Sequence, residues 1–529
     1  KLRRIADEFG VEHEGRDVNE VARVVAEVYL AEFGRQKGQL RGLKRAPEAL
    51  QKRWEKLGVS PTGIDKNVVR TLHATHVGGD NNPRHIIEGA VTASLADGWG
   101  GSMYATDISD VLFGGPQPIR SRANLGVLDP KSVNIVVHGH EPTLSEMIVA
   151  ASHDPEIKKK AEEAGAKNVQ LAGICCTANE ILMRHGIPIA GNFLQQELAL
   201  ATGAVDAMVV DIQCVQPSLA AHASRYPTRI ISTSPKAQFK GMDHIAFEEG
   251  KGLSIAKQIV EHAIEAFGER DKTKSHVPQC SNDLVAGYTT ENIANLLGGQ
   301  YFPSYRPLNN AIADGRIRGV AGVVGCNTVK IQHDYGHLEM VKELLRHDVL
   351  VVQTGCSAVA CAKAGFMQPE AARQYAGEGL QEVCDAVGIP PVLHMGSCVD
   401  NTRILLACCE MVKEGGIGDD ICELPVAGAA PEWMSEKAIT IALYVVASGI
   451  YTVCAEPFPV MGSKEVREYL TDGMEEDFGA HLDFEKNPVT AAHLMIDHID
   501  QKREDLGLSD MMYETAGKAE PVAATAAAK

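Results

Sequence analysis

Six short β-rich runs in this chain each deliver a histidine or a cysteine at the carboxyl end, and that repetition narrows the folds open to it. VNIVVHGH ends at His140, NVQLAGICC at Cys176 and AVDAMVVDIQC at Cys214, while GVAGVVGC ends at Cys326, VLVVQTGC at Cys356 and PPVLHMGSC at Cys398. Segments of helical period separate the runs, the alternation of parallel sheets built from βαβ units. In such sheets the carboxyl edge is where ligands bind. The runs fall into two sets of three, one within residues 131–270 and one within 271–515. Two doubly wound, Rossmann-like α/β domains with a cleft between them are therefore expected. A chain of 529 residues also exceeds what one core holds, which suits about three domains.

The third domain is residues 1–130, which read as mostly helical. Val18, Val21, Val25 and Val28 share one face of an amphipathic helix that ends near Gly34. The charged stretch from Ala46 to Leu57 predicts a second helix with a solvated face, and GWGGS at 98–102 predicts a turn. Ala438 to Ala455 carries no charge, yet it contains Thr, Ser, Tyr and Gly and runs into Glu456-Pro457. It reads as a buried helix–strand pair and not as a membrane span. Residues 516–529 are low in complexity and predict a disordered tail. The sequence opens on Lys1 in mid-helical pattern with no signal or transit peptide, as a piece of a longer protein would.

Charge and cysteine usage restrict the function. Lys+Arg 51 against Asp+Glu 69 leaves a net charge of −18, which argues against nucleic acid or an anionic membrane as the main partner. The 13 cysteines are spread along the chain, as thiols or metal ligands of a reducing, cytoplasmic compartment are.

Consecutive members of the strand-end set lie at least 30 residues apart, and no C-x-x-C occurs. The ligands would therefore converge through the fold and not through a local zinc or ferredoxin loop. Soft, thiolate-rich sets select iron–sulfur clusters, zinc or copper(I). Five cysteines and a histidine exceed the roughly four cysteines of a cubane, so a larger or mixed-metal cluster is implied. Gly173, Gly325, Gly355 and Gly396 stand beside these ligands, where a bare backbone could approach a cluster. Any single strand-end cysteine is more often packing than a ligand, and only the shared pattern favours ligation. Cys280, Cys361, Cys384, Cys408, Cys409, Cys422 and Cys454 sit in helical or loop segments and read as structural. Cys175, next to Cys176, could support the site or serve as an alternative ligand. AGEG at 376–379 lacks the third glycine of a dinucleotide fingerprint, since position 382 is Glu. His73 and His76 read as ordinary helix residues, and Lys437 by itself as a surface lysine.

Longer stretches carry a family resemblance. HGHEPTLSEMIV (138–149), GICCTANEILMRHGIPIAGNF (173–193), VVDIQCVQPSL (209–219), VVGCNTVK (323–330), QTGCSAVACAKAGF (353–366), HMGSCVDNTRI (394–404), PVAGAAPEWMSEKA (425–438) and ADGWGGSMYATDISDVLFG (96–114) closely resemble the anaerobic nickel–iron–sulfur carbon monoxide dehydrogenases. The likeness covers nearly the whole chain up to the tail, and the fold is shared with the hybrid-cluster proteins. It implies a Ni-4Fe-4S cluster in which His140 and Cys176 hold the unique iron, Cys214, Cys326 and Cys356 one iron each, and Cys398 the nickel. Lys437 matches the lysine that hydrogen-bonds the bound carboxylate, and Ile441 the apolar wall over the CO position. The implied reaction is reversible oxidation of CO with water to CO2, two protons and two electrons.

The resemblance further implies a ferredoxin-like electron acceptor, a homodimer and an acetyl-CoA synthase as partners, with no nucleic acid and no membrane span. Members of that family also carry 4Fe-4S relay clusters bound by an N-terminal segment, and a histidine run that moves protons. This sequence has no cysteine before Cys175, so those ligands are absent from it. His73 and His76 belong to a different motif (LHATHVGGD). Two other readings stay open at this point: a hybrid-cluster hydroxylamine or NO reductase, and a cluster-binding sensor or assembly protein without turnover.

Overall fold

Capping and packing set the helical part before any strand forms. In the computed structural model, which describes residues 1–513, the helix Val18–Phe33 begins at Asp17, whose carboxylate accepts the N–H groups of Asn19 and Glu20. It buries Val21, Val25 and Tyr29. Val18 is 63% exposed, so the buried stripe starts one turn later than the valine spacing suggested and ends on a tyrosine. The charged helix Glu48–Leu57 is not merely solvated. It buries Leu50 and Trp54, and the Trp54 indole donates to the carbonyl of Ala447 over 2.7 Å. The expected tail at 516–529 lies outside the described residues.

The expected turn at 98–102 is instead a π-helical turn, Asp97–Gly101, joining the helices Pro83–Ala96 and Ser102–Phe113 without a break. Trp99 is buried there and its indole donates to the Ser448 hydroxyl over 3.0 Å. A Cβ at Gly98 would come within 2.6 Å of the Tyr444 ring. Gly98 thus makes room for a neighbouring helix, and π-turns of this kind recur at functional sites.

Fourteen strands follow: β1 (Ile119–Ala123), β2 (Val133–His138), β3 (Val169–Ile174), β4 (Ile189–Gly191), β5 (Ala207–Val210), β6 (Arg229–Ser232), β7 (Asp243–His244), β8 (Asn282–Ala286), β9 (Gly319–Val323), β10 (Val349–Gln353), β11 (Val392–His394), β12 (Val426–Ala430), β13 (Thr452–Cys454) and β14 (Leu482–Phe484). They form one sheet in the order β14-β13-β12-β9-β10-β11-β8-β1-β4-β3-β2-β5-β6-β7. The β1–β8 pairing is antiparallel and joins two halves whose other pairings are parallel.

Each half is doubly wound, and its strand order reverses at one strand, β2 in the first half and β9 in the second. Helices cover both faces, so β2, β10 and β12 are buried along their whole length and read as continuous apolar runs. The fold is the expected α/β class, a helical part followed by Rossmann-like sheet units. β1 already pairs with β4, so the sheet begins before residue 131. The uncharged stretch 438–455 forms the helix Glu436–Ala447 and β13, as expected. Cys454 therefore sits in a strand and not in a loop. Among the described residues, no helix is long and apolar enough to cross a membrane.

Candidate metal centre

All six strand-end residues lie just past the carboxyl ends of β2, β3, β5, β9, β10 and β11. The two reversal strands carry His140 and Cys326, so the set is centred on the switch points where doubly wound sheets bind ligands. Cys176 and Cys356 stand in the first turns of the helices Cys175–His185 and Gly355–Lys363, and Cys398 opens a 3-10 turn.

Contacts within and between the two halves bring the donors together. The amide of Cys398 donates to Sγ of Cys176 over 3.4 Å, and Nε2 of His140 lies 4.0 Å from Sγ of Cys214. Burial and the Cys398, Cys356 and Cys214 thiols push the Cys326 thiol well above its usual range. Contact with Cys176, together with burial, does the same to Cys398. Cys175 meets the Cys214 and Cys356 thiols, and these contacts and burial push its thiol up. Cys214 goes the other way, to about 4, through Cys175, with His140 and Lys437 adding to the shift against burial. Cys175 thus stands beside Cys214 and Cys356.

The donors fit a multi-metal group. Crowded thiols resist ionisation until a cation is present to relieve their mutual repulsion. Among the described residues, no three of these donors lie within 4.8 Å of one another, so the set is spaced for a cluster and not for a single ion. Of the four glycines beside the ligands, Gly355 alone faces a ligand sulfur. Its φ is +59°, and a Cβ there would stand 2.7 Å from Sγ of Cys398. The other three correct the expectation of backbone approach, since Gly173 makes room for Ala178, Gly325 for the Glu432 carbonyl and Gly396 for Asp400.

Outer contacts hold the donors in place. Nδ1 of His140 lies 3.0 Å from the carbonyl of Ile212, which leaves the lone pair on Nε2, and its amide donates to Asp211 over 2.6 Å. The carbonyl of Cys214 accepts from Gln196 (2.8 Å) and stands 3.1 Å from Nε2 of His138. Burial holds His138 down at about 4, so it is neutral and serves as a support. His337 reaches the carbonyl of Cys326 over 2.6 Å. The Cys398 loop is fixed by Asp400, which accepts the Ser397 amide and the Arg403 guanidinium.

Lys437 lies in the first turn of the helix Glu436–Ala447. Burial alone would lower it, but the Cys398, Cys176, Cys214 and Cys326 thiols raise it above the usual lysine range, so it stays charged. It is no surface lysine. Asp97, half-buried in the π-turn, lies in its field, and desolvation pushes the Asp97 carboxyl up. An apolar cavity of about 100 Å³ ends on this group and counts Cys326, Cys398, Lys437 and Ile441 among its lining residues. His73 and His76 are exposed and take no part.

Residues 1–489 match the Prismane/CO dehydrogenase family. The chain belongs to it. Carbon monoxide dehydrogenase 1 of Methanosarcina mazei is 52% identical over 509 residues, 96% of this chain and 80% of that protein. The carbon monoxide dehydrogenase/acetyl-CoA synthase subunit beta of Moorella thermoacetica is 41% identical, over 97% of this chain and 78% of its own length. Among solved structures, a nickel-free carbon monoxide dehydrogenase from Thermococcus sp. AM4 matches with TM-score 0.93 and 46% identity, covering 96% of this chain and 79% of that one.

The sequence points to the six strand-end residues but not to Asp211, Gln196, His337, Asp97 or Asp400. Asp211 had a legible signal, because it directly follows β5 in the same run that ends at Cys214. Asp400 likewise stands two residues after Cys398, whereas Gln196, His337 and Asp97 come from other segments and had none.

Proposed function

We propose that this chain binds a Ni-4Fe-4S cluster through His140, Cys176, Cys214, Cys326, Cys356 and Cys398, with Cys398 on the nickel, and that it oxidises CO reversibly with water. The overall reaction is CO + H2O → CO2 + 2H⁺ + 2e⁻. The observation that carries the reading is the apolar cavity that ends at two of these thiols beside one half-buried cation, Lys437. An uncharged diatomic gas suits the cavity, and a carboxylate formed from it suits the lysine.

When bound, such a cluster supplies a soft site for CO, Lewis-acid help for water and a place for two electrons. The chain's own residues do the rest. Asp211 and the Ile212 carbonyl hold His140 in one tautomer and orientation. Lys437 keeps a positive charge where negative charge develops, inside a site already organised around it. Ile441 and its apolar neighbours keep bulk water from the site and leave room for CO. Electrons then pass to a ferredoxin-like acceptor, in a cytoplasmic homodimer, with an acetyl-CoA synthase as a further candidate partner. The domain limits proposed for this activity are 1–130, 131–270 and 271–515.

CO-dependent reduction of a viologen dye by the anaerobically purified, nickel-loaded protein tests the reading. Dye reduction that needs both CO and nickel is expected. A protein that carries nickel and iron but gives no CO-dependent reduction would overturn it in favour of a sensor. Iron without nickel would favour a hybrid-cluster reductase.

A further inference from the structure

A second set of metal-binding side chains lies away from the cysteines, where the helices Tyr335–Arg346 and Pro488–Asp505 pack together. Glu343 is buried on the first helix, His347 caps its carboxyl end, and His493 stands exposed on the second. One ring nitrogen of each histidine and one carboxylate oxygen lie within 4.8 Å of one another, the only such trio among the described residues.

We propose that Glu343, His347 and His493 bind a divalent transition ion of the zinc class and so clip the helix Pro488–Asp505 onto the helix Tyr335–Arg346. Nε2 of His493 is 3.1 Å and Nδ1 of His347 is 3.6 Å from Oε1 of Glu343. Two ligands about 2.0–2.1 Å from a tetrahedral zinc stand roughly 3.3 Å apart, so these separations bracket what the ion requires. Two imidazoles and a carboxylate suit zinc, nickel or cobalt, whereas calcium and magnesium prefer all-oxygen sets. The second oxygen of Glu343 stands 3.4 Å from the Arg346 guanidinium, the outer support that ligating carboxylates usually have.

Nδ1 of His347 also lies 2.9 Å from the carbonyl of Glu343. Binding through Nδ1, the nitrogen that faces Oε1, exchanges that contact for the ion. Arg318, beside His347, is engaged with the His347 carbonyl and with Asp500. Exposure of His493 leaves a fourth position for water. The site is also remote from the cysteines. His337, which touches the Cys326 carbonyl, is ten residues before His347, about 15 Å along the helix. The inference therefore does not depend on what the cysteines hold.

Cobalt(II) titration of the chelator-washed, cluster-loaded protein, beside His493→Ala and Glu343→Gln, tests it. The wild type is expected to take up one more cobalt per protomer than either variant. The added cobalt should show tetrahedral ligand-field absorption without a thiolate charge-transfer band. Affinity in the variants should fall by more than about 100-fold, since even outer partners of a metal ligand are worth up to that much. Zinc should raise the Tm of the wild type and leave that of His493→Ala unmoved. Equal cobalt uptake and equal spectra in wild type and His493→Ala would overturn the proposal. His493 is exposed, so that variant keeps the fold.

Discussion

The backbone N–H of His140 donates to Oδ1 of Asp211 over 2.6 Å and ties the loop after β2 to the loop after its parallel neighbour β5. The same carboxylate accepts the amides of Glu141 (3.0 Å) and Ile212 and the Thr177 hydroxyl (3.2 Å). Burial pushes its acid up, and the amide donors oppose that shift. One buried side chain therefore positions the only histidine of the candidate set.

Asp211→Ala is predicted to strand those donors in a closed loop, at a cost of about 2–5 kcal/mol. Gly139→Ala should act on the same bond, because a Cβ there would come within 1.8 Å of Oδ1 and the backbone φ is +133°. Thermal unfolding and iron content together check this. Both variants should lose Tm and iron, and wild-type values in both would refute the role given to Asp211.

Lys437→Gln removes the half-buried cation beside the thiols and leaves a neutral polar side chain one atom shorter. CO oxidation should fall by about 100- to 1,000-fold, the usual cost of losing one preorganised electrostatic partner. Nickel and iron content should remain near wild type. Lys437→Arg, which keeps the charge, should recover part of the rate. Viologen reduction normalised to nickel decides it, and a rate unchanged in Lys437→Gln would rule the lysine out.

Ile441→Phe narrows the cavity at the end that meets Cys398 and Lys437. A higher KM for CO with a smaller change in kcat is expected, since the substitution alters access and not the donors. A fall in kcat alone would place Ile441 in the chemistry rather than in the approach.

His481 offers a prediction on stability that is independent of the metal. Hydrogen bonds to Asp483 and Glu475 raise it from 6.5 to about 9, against burial. The folded value is the higher one. The ion cluster therefore contributes fully below pH 6.5, and the contribution fades as the pH rises through about 9. With the ring partly open to solvent, it is worth about 1–2 kcal/mol. His481→Gln should lower the Tm most near pH 6 and very little near pH 10. A Tm difference that is constant across that range would contradict the assignment.

The strand-end residues were legible in the sequence because each closes an apolar β-run, and a short apolar run ending in a Cys or His is a local signal. The α/β class was legible for the same reason. The π-turn at Asp97–Gly101 was not, because glycine-rich stretches normally signal chain reversal, and here the close neighbours are distant in sequence, Tyr444 against Gly98 and Leu40 and Ile64 against Gly100. Val18 misled because spacing alone does not say where a buried stripe begins. Trp54 was hidden among charges, and its partner at Ala447 lies on an element the local sequence cannot name. Lys437 carries no sign of burial in PEWMSEK, since four thiols from other strands supply its surroundings. The antiparallel β1–β8 joint was likewise invisible, because two short strands far apart in sequence make it.

The central claim is that six strand-end residues from two sheet halves hold one nickel–iron–sulfur group. Nickel and iron counted per protomer in chelator-washed, anaerobically purified protein test it most directly, with wild type and Cys398→Ala compared on a His493→Ala background. About one nickel with about four irons in the parent, and the loss of nickel with retention of most iron in Cys398→Ala, is the predicted result. Nickel that persists in Cys398→Ala, or a parent that holds iron and no nickel, would contradict the account.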